Sequence, residues 1–550
     1  MNVIGLVEAQ VRIRPNAPAI IDVHRGRERS LTFGELYERV ARLAALLESR
    51  GIDAGAGVLI FQPLSAELYV FLLALFHLGA VGMFLDPSTG RPHIERCCEL
   101  YRPKALFGSS RAHILRLISP AIRRIPVFFG TSWIPGSVDI LSGGERPRRR
   151  VTPVDSDRPA LITFTSGSTG VPKVAARTHR FLRAQHRAVA ASLGLTPGTF
   201  DLATLPIFAL ANLASGVASV LPNADLRRPD LFDPAPIMEQ FERHRVSSTA
   251  ASPAFIERLA DECIRTSRSL VFVKKVFLGG APVFPRVLEK VRKAFPNAAI
   301  TTIYGSTEAE PMAELAFDNI AEEDFAAMRS GRGLLVGSPV SSLRLRVIRD
   351  QWRKPIGRIS TSEFAQMNVP TGHPGEIVVS GEHVLGGYLQ GEGEYETKFD
   401  VDAIRWHRTG DLGYFDSRGR LWLLGRSSAK IEDRRGTLYA LSVECAAQQD
   451  PRIARAALAE ICGERVLVLQ PSNGHKLDTE RYKRQLAWAS LDRVLTLARI
   501  PVDKRHNAKI DYSQLKSLFR SSERSDGLKL SWIWTKGGGC RPLQRPEAND

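Results

Sequence analysis

The hydrophobic positions of the chain alternate between helical and strand-like spacing. In residues 31–51, LTFGELYERVARLAALLESRG, apolar residues return every three or four positions, which predicts an amphipathic helix opened by Thr32 and closed by Gly51. A strand is predicted at residues 58–61, and the helical AELYVFLLALFHLGA then leads into the strand-like VGMFL. This alternation predicts a layered α/β fold.

Two later strands are predicted to end in polar loops. The apolar runs at residues 276–278 and 300–304 are followed by GGAP and GSTE. In open α/β sheets, ligands bind beyond the carboxyl ends of the strands. These two loops are therefore candidate binding segments.

The pattern also predicts how the chain divides into domains. A stretch with a β-rich pattern at residues 375–424 ends at residues 425–426, and the pattern after it is a mixture of helix and strand. We predict a large domain at residues 1–426, a small α+β domain at residues 427–518, and a tail of low order at residues 519–550.

Composition narrows the class of protein. A chain of 550 residues with 44% hydrophobic and 24% charged residues is typical of a globular protein with more than one domain. The net charge of +17 suits nucleic acid, an anionic surface or anionic small ligands. The basic residues are dispersed and accompany no nucleic-acid-binding motif, so we predict no nucleic-acid partner.

Cysteine spacing and hydropathy predict the compartment. The six cysteines show neither disulfide-framework nor zinc-site spacing, and the N-terminal residues lack the apolar core of a signal peptide. Residues 202–222 are uncharged and long enough to cross a membrane. Their internal Pro206, Asn212 and Gly216 favour a buried segment instead. We therefore predict a cytoplasmic protein without a transmembrane segment.

The strongest chemical signal is LITFTSGSTGVPK at residues 161–173, where a short apolar strand runs into hydroxyls and glycines and ends in a lysine. Such a loop offers backbone N–H groups, hydroxyl donors and one cation to phosphate oxygens. A Walker loop needs Gly-Lys-Ser/Thr opening a helix, whereas here Pro172 precedes Lys173 and Val174 follows it. The segment predicts a phosphate-binding loop of another kind.

Three motifs, in order, resemble those of the adenylate-forming superfamily: TSGSTGVPK, YGSTE at residues 304–308, and HRTGDLGYFDSRGRLWLLGR at residues 407–426. That superfamily includes acyl-CoA synthetases, peptide-synthetase adenylation domains and luciferases, and the resemblance covers about residues 18–515. It implies a large multi-layer N-terminal domain of adenylate-forming type with a small C-terminal lid. It also implies an enzyme that uses ATP and Mg²⁺ to convert a carboxylic acid to an acyl-AMP, releasing pyrophosphate.

The resemblance implies roles for the loop residues. The β- and γ-phosphates would be held by Thr165, Ser166, Gly167, Ser168, Thr169, Gly170 and Lys173. The adenine pocket would be lined by Gly280, Ala281 and Pro282.

Further roles follow from the second and third motifs. Tyr304 would stack on the adenine, Thr307 would bind the α-phosphate and Glu308 would hold Mg²⁺. Asp411 would take the ribose hydroxyls, with Arg426 assisting. These residue types suit those tasks, because an aromatic face packs on a purine and a carboxylate holds Mg²⁺ that bridges phosphates.

A cation is needed where an anionic carboxylate attacks an anionic phosphate. In IPVDKRHNAKID, residues 500–511, Lys509 matches the C-terminal lysine that reaches the substrate carboxylate in the superfamily. Two departures leave the second half-reaction open. The RHNA approach to Lys509 is longer than the usual Thr-x-x-Gly approach, and Ala429 and Ala440 stand where relatives carry an acidic residue and a proline.

The small domain of the superfamily rotates between the two half-reactions. This implies a hinge at residues 425–428, with Ser428 at the position of the hinge residue.

Four segments are similar to one branch, the fatty-acid ligases and the β-lactone synthetases of bacterial olefin biosynthesis: RHNAKI, PIFALA at residues 206–211, SPAF and YGSTEAEPMA. In that branch, the hydroxyl of a β-hydroxyacyl adenylate can close on its own acyl carbon. The resemblance implies an apolar acyl wall formed by Phe208, Ala209 and Leu210, for which ordinary core packing is the alternative.

The sequence thus indicates an acid ligase that acts on a fatty or hydroxy-fatty acid. Transfer to coenzyme A is the leading second step, and closure to a β-lactone is the alternative. Two other interpretations remain: a degenerate nucleotide-binding protein without turnover, and a basic nucleic-acid-binding protein. The presence of both Lys173 and Lys509 argues against the first of these.

Overall fold

The computed structural model describes residues 2–85, 89–142, 146–148, 150–166, 172–226, 231–389, 391, 393–472, 474–502, 509–520, 532–534 and 540–542. Its first elements are α1 (Gly5–Ile13), β1 (Pro18–His24), β2 (Arg27–Thr32), α2 (Phe33–Ser49), β3 (Gly57–Phe61), α3 (Ala66–Leu78), β4 (Val81–Phe84), α4 (Arg91–Leu100), β5 (Ala105–Gly108), α5 (Ser110–His113), α6 (Leu115–Ile118), α7 (Pro120–Arg123), β6 (Val127–Gly130), β7 (Val138–Asp139), β8 (Pro159–Ser166), β9 (Pro172–Thr178), α8 (His179–Leu193), β10 (Phe200–Ala203), α9 (Pro206–Ser215) and β11 (Ala218–Val220).

The middle of the chain continues with helices and strands in alternation and then becomes β-rich. Its elements are α10 (Ala235–Arg243), β12 (Ser248–Ala251), α11 (Pro253–Arg265), β13 (Lys275–Gly279), α12 (Pro285–Ala294), β14 (Ala299–Ser306), β15 (Ala309–Ala316), α13 (Glu322–Arg329), β16 (Leu334–Pro339), β17 (Arg344–Ile348), β18 (Arg358–Ile359), α14 (Thr361–Met367), β19 (Gly375–Ser380), β20 (Tyr388–Leu389), α15 (Glu394–Thr397), β21 (Lys398–Val401), β22 (Ile404–Phe415) and β23 (Leu421–Arg426).

The elements after Arg426 are short. They are β24 (Ile431–Asp433), β25 (Gly436–Leu438), α16 (Ala440–Ala447), β26 (Ile453–Ile461), β27 (Glu464–Pro471), α17 (Thr479–Gln485), β28 (Arg493–Thr496), α18 (Tyr512–Arg520), β29 (Trp532–Trp534) and β30 (Cys540–Pro542). The rest of the predicted low-order tail at residues 519–550 lies outside the described residues.

Two mixed sheets organise the large part of the molecule, so the predicted α/β class is confirmed. One runs in the order β17-β19-β22-β23-β16-β15-β14-β13-β12-β10-β11-β1-β2, and the other in the order β20-β9-β8-β4-β3-β5-β6-β7. Strands β10, β12, β13 and β14 pair in parallel, as do β8, β4, β3, β5 and β6. Each sheet therefore gathers several strand ends, and the loops that follow them, at one edge.

Local sequence explains why the helices begin where they do. Thr32 caps α2 by accepting from the N–H of Glu35, whose carboxylate accepts from the N–H of Thr32 in return. The helix ends at Ser49, slightly before the predicted closing glycine, and Gly51 follows with φ of 78°. Helix α3 is buried on all sides, which explains its almost unbroken run of apolar residues.

The predicted strands and the buried segment are also confirmed. Residues 276–278 lie in β13 and residues 300–304 in β14, although β14 continues through Ser306 and turns at Thr307 and Glu308 into the antiparallel β15. The apolar stretch at residues 202–222 contains β10, α9 and β11. Among the described residues, no helix combines the length and apolar character that crossing a membrane requires.

The elements after Arg426 build a smaller unit around the sheet β26-β27-β28. Its contacts with the large unit include α16, whose Leu441 and Cys445 pack in a core cluster with β16 and β23, and three others. Arg286 of α12 donates to the carbonyl of Ala454 at 3.0 Å, and Lys430 lies 2.7 Å from Asp350. The ring of Trp488 packs on Gly331, where a Cβ would overlap it. The predicted boundary between residues 426 and 427 coincides with the end of β23 but stays a prediction.

Candidate functional site

The predicted adenine loop follows β13 directly. Gly280, with φ of +83°, starts the turn, and Ala281 and Pro282 lead to α12; all three are half-buried. A left-handed backbone at this position is why a glycine stands here. Next to β13 in the sheet, β14 carries Tyr304.

Tyr304, Asp411 and Arg426 form one hydrogen-bonded set. The hydroxyl of Tyr304 donates to Oδ2 of Asp411 at 2.8 Å, and Nε of Arg426 lies 3.1 Å from Oδ1. Asp411 and Arg426 are also register partners across β22 and β23, which explains the approach of their side chains. The structure therefore brings together three residues that the sequence analysis placed in one nucleotide site.

The protonation of this set follows from its burial. Burial, and then the carboxylate of Asp411, raise the pKa of Tyr304 well above its ordinary value, so the phenol stays protonated and remains a donor. Asp411 in turn raises the pKa of Arg426, which stays charged. Each carboxylate oxygen of Asp411 has two lone pairs, so both keep capacity for a further donor such as a ribose hydroxyl.

The predicted phosphate loop is partly described. Thr165 and Ser166 end β8, although their side chains are not described, and Gly167, Ser168, Thr169 and Gly170 lie outside the described residues. Lys173 lies on β9 and is almost completely buried. Its Nζ is 3.7 Å from the carboxylate of Glu396 and 5.6 Å from the ring centroid of Tyr388.

Tyr388 links Lys173 to Glu308. The hydroxyl of Tyr388 donates to Oε1 of Glu308 at 3.3 Å, while the face of the same ring receives Lys173. Glu308 sits in the turn between β14 and β15, and its N–H donates to Oγ of Ser306 at 3.2 Å. The predicted phosphate lysine and the predicted Mg²⁺ ligand therefore flank one aromatic ring.

A second lysine, Lys398, lies on the same ring. Its Nζ is 5.6 Å from the ring centroid of Tyr388 and donates to the carbonyl of Leu385. The N–H of Leu385 in turn donates to the carbonyl of Glu308 at 2.7 Å. Burial lowers the pKa of Lys398 to about 7, against the opposing effect of Glu308. A bound polyphosphate would favour the charged form of this amine.

Arg177 connects the first two motifs. From β9, its guanidinium donates to Oγ1 of Thr163 and to the carbonyl of Thr307, each at 2.8 Å. Thr307, the predicted α-phosphate ligand, is thereby tied through its backbone to the sheet that carries the phosphate loop. The arginine itself is nearly buried.

The predicted acyl wall lies on α9. Phe208 packs in a cluster that contains Phe277 of β13 and Ile303 of β14, while Ala209 is fully buried in the main core and Leu210 lies at that core's margin. Because successive strand residues face opposite sides of a sheet, Ile303 and Phe208 lie across β14 from Tyr304. Whether this segment contacts an acyl chain stays a prediction.

Lys509, the predicted catalytic lysine, is exposed and precedes α18. The RHNA approach to it at residues 505–508 lies outside the described residues. Ile510 pairs with Val502, and Tyr512 donates to Oε1 of Glu444 at 2.6 Å. These contacts fix the segment that follows the lysine on the small unit.

Sequence reasoning missed Tyr388, Lys398, Glu396 and Arg177. The first three lie in GGYLQGEGEYETKFD, within the stretch that was interpreted only as β-rich. A lysine and an aromatic residue among glycines and acidic residues were the available signal. Arg177 had a clearer one, because it is a charged residue at an inward-facing position of the strand that follows the phosphate loop.

Comparisons with known proteins show the family of this chain. The AMP-binding enzyme family model matches residues 7–389. The chain is 32% identical over 511 residues to an olefin beta-lactone synthetase of Stenotrophomonas maltophilia and 31% identical over 513 residues to one of Xanthomonas campestris; each alignment covers 88% of this chain and 90% of the relative. It is 26% identical over 500 residues to a 4-chlorobenzoate–CoA ligase of Arthrobacter, covering 88% of both chains.

Solved structures share the fold. The amide bond synthetase McbA of Marinactinospora thermotolerans superposes with a TM-score of 0.76 at 22% identity, covering 94% of this chain and all of that one. An O-succinylbenzoate coenzyme A synthetase of Bacillus subtilis, solved in complex with ATP and magnesium ion, gives a TM-score of 0.75 at 22% identity, with 93% and 99% coverage. The matched motifs, the shared fold and the extent of the sequence identity lead to one conclusion. This chain belongs to the AMP-binding, adenylate-forming family and is an AMP-forming acid ligase.

Proposed function

We propose that the enzyme activates a fatty acid with a β-hydroxyl group as its acyl-AMP. This hydroxyl then attacks the acyl carbon and loses its proton, and the bond from that carbon to the phosphate oxygen breaks, giving a β-lactone and AMP. The observation that carries the first step is the convergence of Lys173, Tyr388 and Glu308 beside the set formed by Tyr304 and Asp411. The first group offers the ammonium of Lys173 to phosphates and the carboxylate of Glu308 to Mg²⁺, and the second offers an aromatic face and a carboxylate to a nucleoside.

In the first half-reaction, a carboxylate oxygen of the acid attacks the α-phosphorus of ATP, and the bond to the β-phosphate oxygen breaks. Lys173 and Lys398 supply charge at the phosphates, and Thr307 is positioned through its carbonyl by Arg177. Lys509 approaches from the small unit to offset repulsion between the two anions. Tyr304 and Asp411 hold the adenosine.

Glu308 fits a role as the Mg²⁺ ligand. Its carboxylate is of the ligand type that Mg²⁺ prefers, and the described residues include no cluster of three or more His, Cys, Asp or Glu that could hold a metal alone. Mg²⁺ typically takes one or two protein carboxylates together with phosphate oxygens and water. Bound there, the ion would neutralise charge on the departing pyrophosphate.

The assignments of a fatty acyl chain and of an internal hydroxyl acceptor rest on other observations. Residues 206–211 place apolar side chains against β13 and β14, on the face of β14 opposite Tyr304. Two relatives above 30% identity are named olefin beta-lactone synthetases. A β-hydroxyl near the acyl carbon also gains the effective molarity of an intramolecular nucleophile, up to about 10⁵–10⁸ M for well-aligned groups.

Transfer to coenzyme A is the second candidate, favoured by the 26% identity to a CoA ligase. With it, the enzyme would give a thioester whether or not the acid carries a hydroxyl. In either case a fatty substrate would place the enzyme in fatty acid metabolism. The cytoplasmic location and the absence of a nucleic-acid partner stay predictions.

One experiment separates the candidates. Products are identified by mass spectrometry after incubation with ATP, Mg²⁺ and either a 3-hydroxy fatty acid or the same acid without the hydroxyl, each with and without coenzyme A. We expect the hydroxy acid to give a product lighter than itself by one water without coenzyme A, and the other acid to stop at acyl-AMP. Coenzyme A consumption matched to AMP release with both acids would instead establish thioester formation.

A further inference from the structure

Four large apolar side chains project into solvent from α6, from the residue that joins α5 to α6, and from the loop after β6. Ile114 is 56% exposed, Leu117 74%, Ile118 52% and Trp133 82%. Single exposed apolar residues are ordinary, but a group rimmed by polar residues marks an interaction site. We call these four residues the apolar patch.

Two contacts hold the segment around α5 and α6 next to the loop with Trp133. Arg116 of α6 donates to the carbonyl of Pro135, in the loop that carries Trp133, at 2.9 Å. The Oγ atoms of Ser110 on α5 and Ser132 in that loop are 3.5 Å apart. The helices with Ile114, Leu117 and Ile118 are therefore packed against the loop with Trp133.

The segment that carries the patch is basic in sequence, although Glu95 of α4 accepts from Oγ of Ser119, next to Ile118, at 3.4 Å. Between Glu99 and Asp139 the chain has no acidic residue, and it has six cations: Arg102, Lys104, Arg111, Arg116, Arg123 and Arg124. Arg123 lies at the patch itself, because its guanidinium donates to the carbonyl of Leu117 at 2.7 Å and to that of Arg116 at 3.1 Å. A cation and an exposed leucine thus stand side by side.

The patch also lies at a defined edge of the fold. Strands β8, β4, β3, β5 and β6 are parallel neighbours, so their carboxyl ends share one edge of the sheet. The segment of Trp133 follows β6, α5 follows β5, and the phosphate loop follows β8. With strands about 4.8 Å apart, the four steps from β6 to β8 correspond to roughly 20 Å.

We propose that the apolar patch docks on the surface of an anionic phospholipid bilayer. Trp133 and Leu117 would enter the boundary between headgroups and acyl chains, where aromatic rings are favoured, and Arg123 and Arg124 would meet lipid phosphates. This is peripheral binding and requires no membrane-spanning segment. It does not depend on the acid that the enzyme activates.

A second copy of the chain is a poorer occupant of the patch. A two-fold interface places the same surface on both subunits, so it would set the two acid-free, basic segments against each other. A bilayer offers both an apolar interior and negative headgroups, which matches both properties of the patch.

Vesicle co-sedimentation of the full chain tests the proposal. We expect binding to phosphatidylcholine vesicles that contain about 30% phosphatidylglycerol, little binding to pure phosphatidylcholine, and weaker binding at high salt. The double variant L117S/W133S should lose about tenfold or more in partitioning, and R123Q/R124Q should lose several-fold. Matched controls are I13S/I264S and R27Q/R50Q, which remove exposed isoleucines and arginines elsewhere and should bind as the wild type does.

Three results would overturn the proposal. The wild type fails to bind the anionic vesicles, the controls lose as much binding as the patch variants, or sedimentation without lipid reveals a dimer that L117S/W133S dissolves. Pyrophosphate exchange with a short, water-soluble acid should be unchanged in all four variants, which shows that they are folded.

Discussion

Tyr304 on β14 donates its hydroxyl hydrogen to Asp411 on β22 at 2.8 Å, although the two residues are 107 positions apart in sequence. Burial keeps the phenol protonated, so this donor is permanent at neutral pH. The bond joins the residue proposed to stack on adenine to the residue proposed to take the ribose hydroxyls. It therefore fixes the relative position of two contacts to one nucleoside.

Y304F should weaken ATP binding while leaving the aromatic face in place. A hydrogen bond to an ionised carboxylate contributes about 1.5–3 kcal/mol, so the KM for ATP in pyrophosphate exchange should rise by up to roughly 10- to 150-fold, with a smaller change in kcat. Y414F is the control, because Tyr414 on β22 donates to the carbonyl of Arg332 at 2.8 Å, away from the site. An equal rise in KM in both variants would contradict the assignment of Tyr304.

K173A and E308A should each reduce acid-dependent exchange of pyrophosphate into ATP by about 10²–10³, the usual cost of losing one transition-state electrostatic contact. The two residues contact the same Tyr388 ring, so the double variant should lose less than the product of the single losses. K290A and E314Q are matched controls, since Lys290 pairs with Glu257 and Asp261 on α11 and Glu314 lies farther along β15. Exchange at wild-type rates in both site variants would remove the phosphate-site assignment.

K509A should block adenylation and leave chemistry on a supplied acyl-AMP nearly intact. The cation is needed only while the carboxylate approaches the α-phosphate, and that step is over once the adenylate exists. Exchange measures the first half-reaction, and AMP release from synthetic acyl-AMP measures the second. K516A on α18 is the control. If the folded K509A protein fails equally in both assays, the proposed role is wrong.

Residues 425–428 should act as the hinge of the small unit. Ser428 lies in a short 3-10 turn between β23 and β24, so it belongs to no long element that would resist a change in its dihedral angles. S428P fixes φ near −65° and should impair one half-reaction far more than the other, whereas S428A should affect neither. Equal activity of S428P in both half-reactions would count against a hinge here.

The sequence predicted what local pattern controls. The capped helix at Thr32, the strands that carry GGAP and YGSTE, and the place of residues 202–222 in the buried core all follow from periodicity and are present. The contacts between distant segments were not predictable in this way. Lys398 reaches Tyr388 only because the chain returns after α15, and Arg177 reaches Thr307 from another sheet. Such contacts depend on tertiary packing, which a local sequence pattern does not encode.

The final prediction concerns the pH dependence of stability. Glu444 of α16 is buried and accepts from the N–H of Leu458 at 3.0 Å and from the hydroxyl of Tyr512 at 2.6 Å, so it ties the helix that follows Lys509 to the small sheet. Burial raises the pKa of Glu444 to about 7. Because the folded state then binds this proton more tightly than the unfolded state does, stability from this group is greatest below about pH 4.5 and falls as the pH rises towards 7.

E444Q should remove this contribution while keeping an oxygen that accepts both hydrogen bonds. The wild type should lose roughly 2–3 kcal/mol of stability from this group between pH 5 and pH 8, and the variant should lack that part of the decline. Denaturant unfolding at both pH values gives, for each protein, the change in the free energy of unfolding with pH. The difference between the wild-type and E444Q changes isolates Glu444, because the contributions of the other titrating groups cancel. E432Q, which alters an exposed carboxylate of the same unit, should follow the wild type. If E444Q shows the same pH dependence as the wild type, Glu444 ionises in the folded protein as it does in the unfolded one, and the assigned effect of burial is wrong.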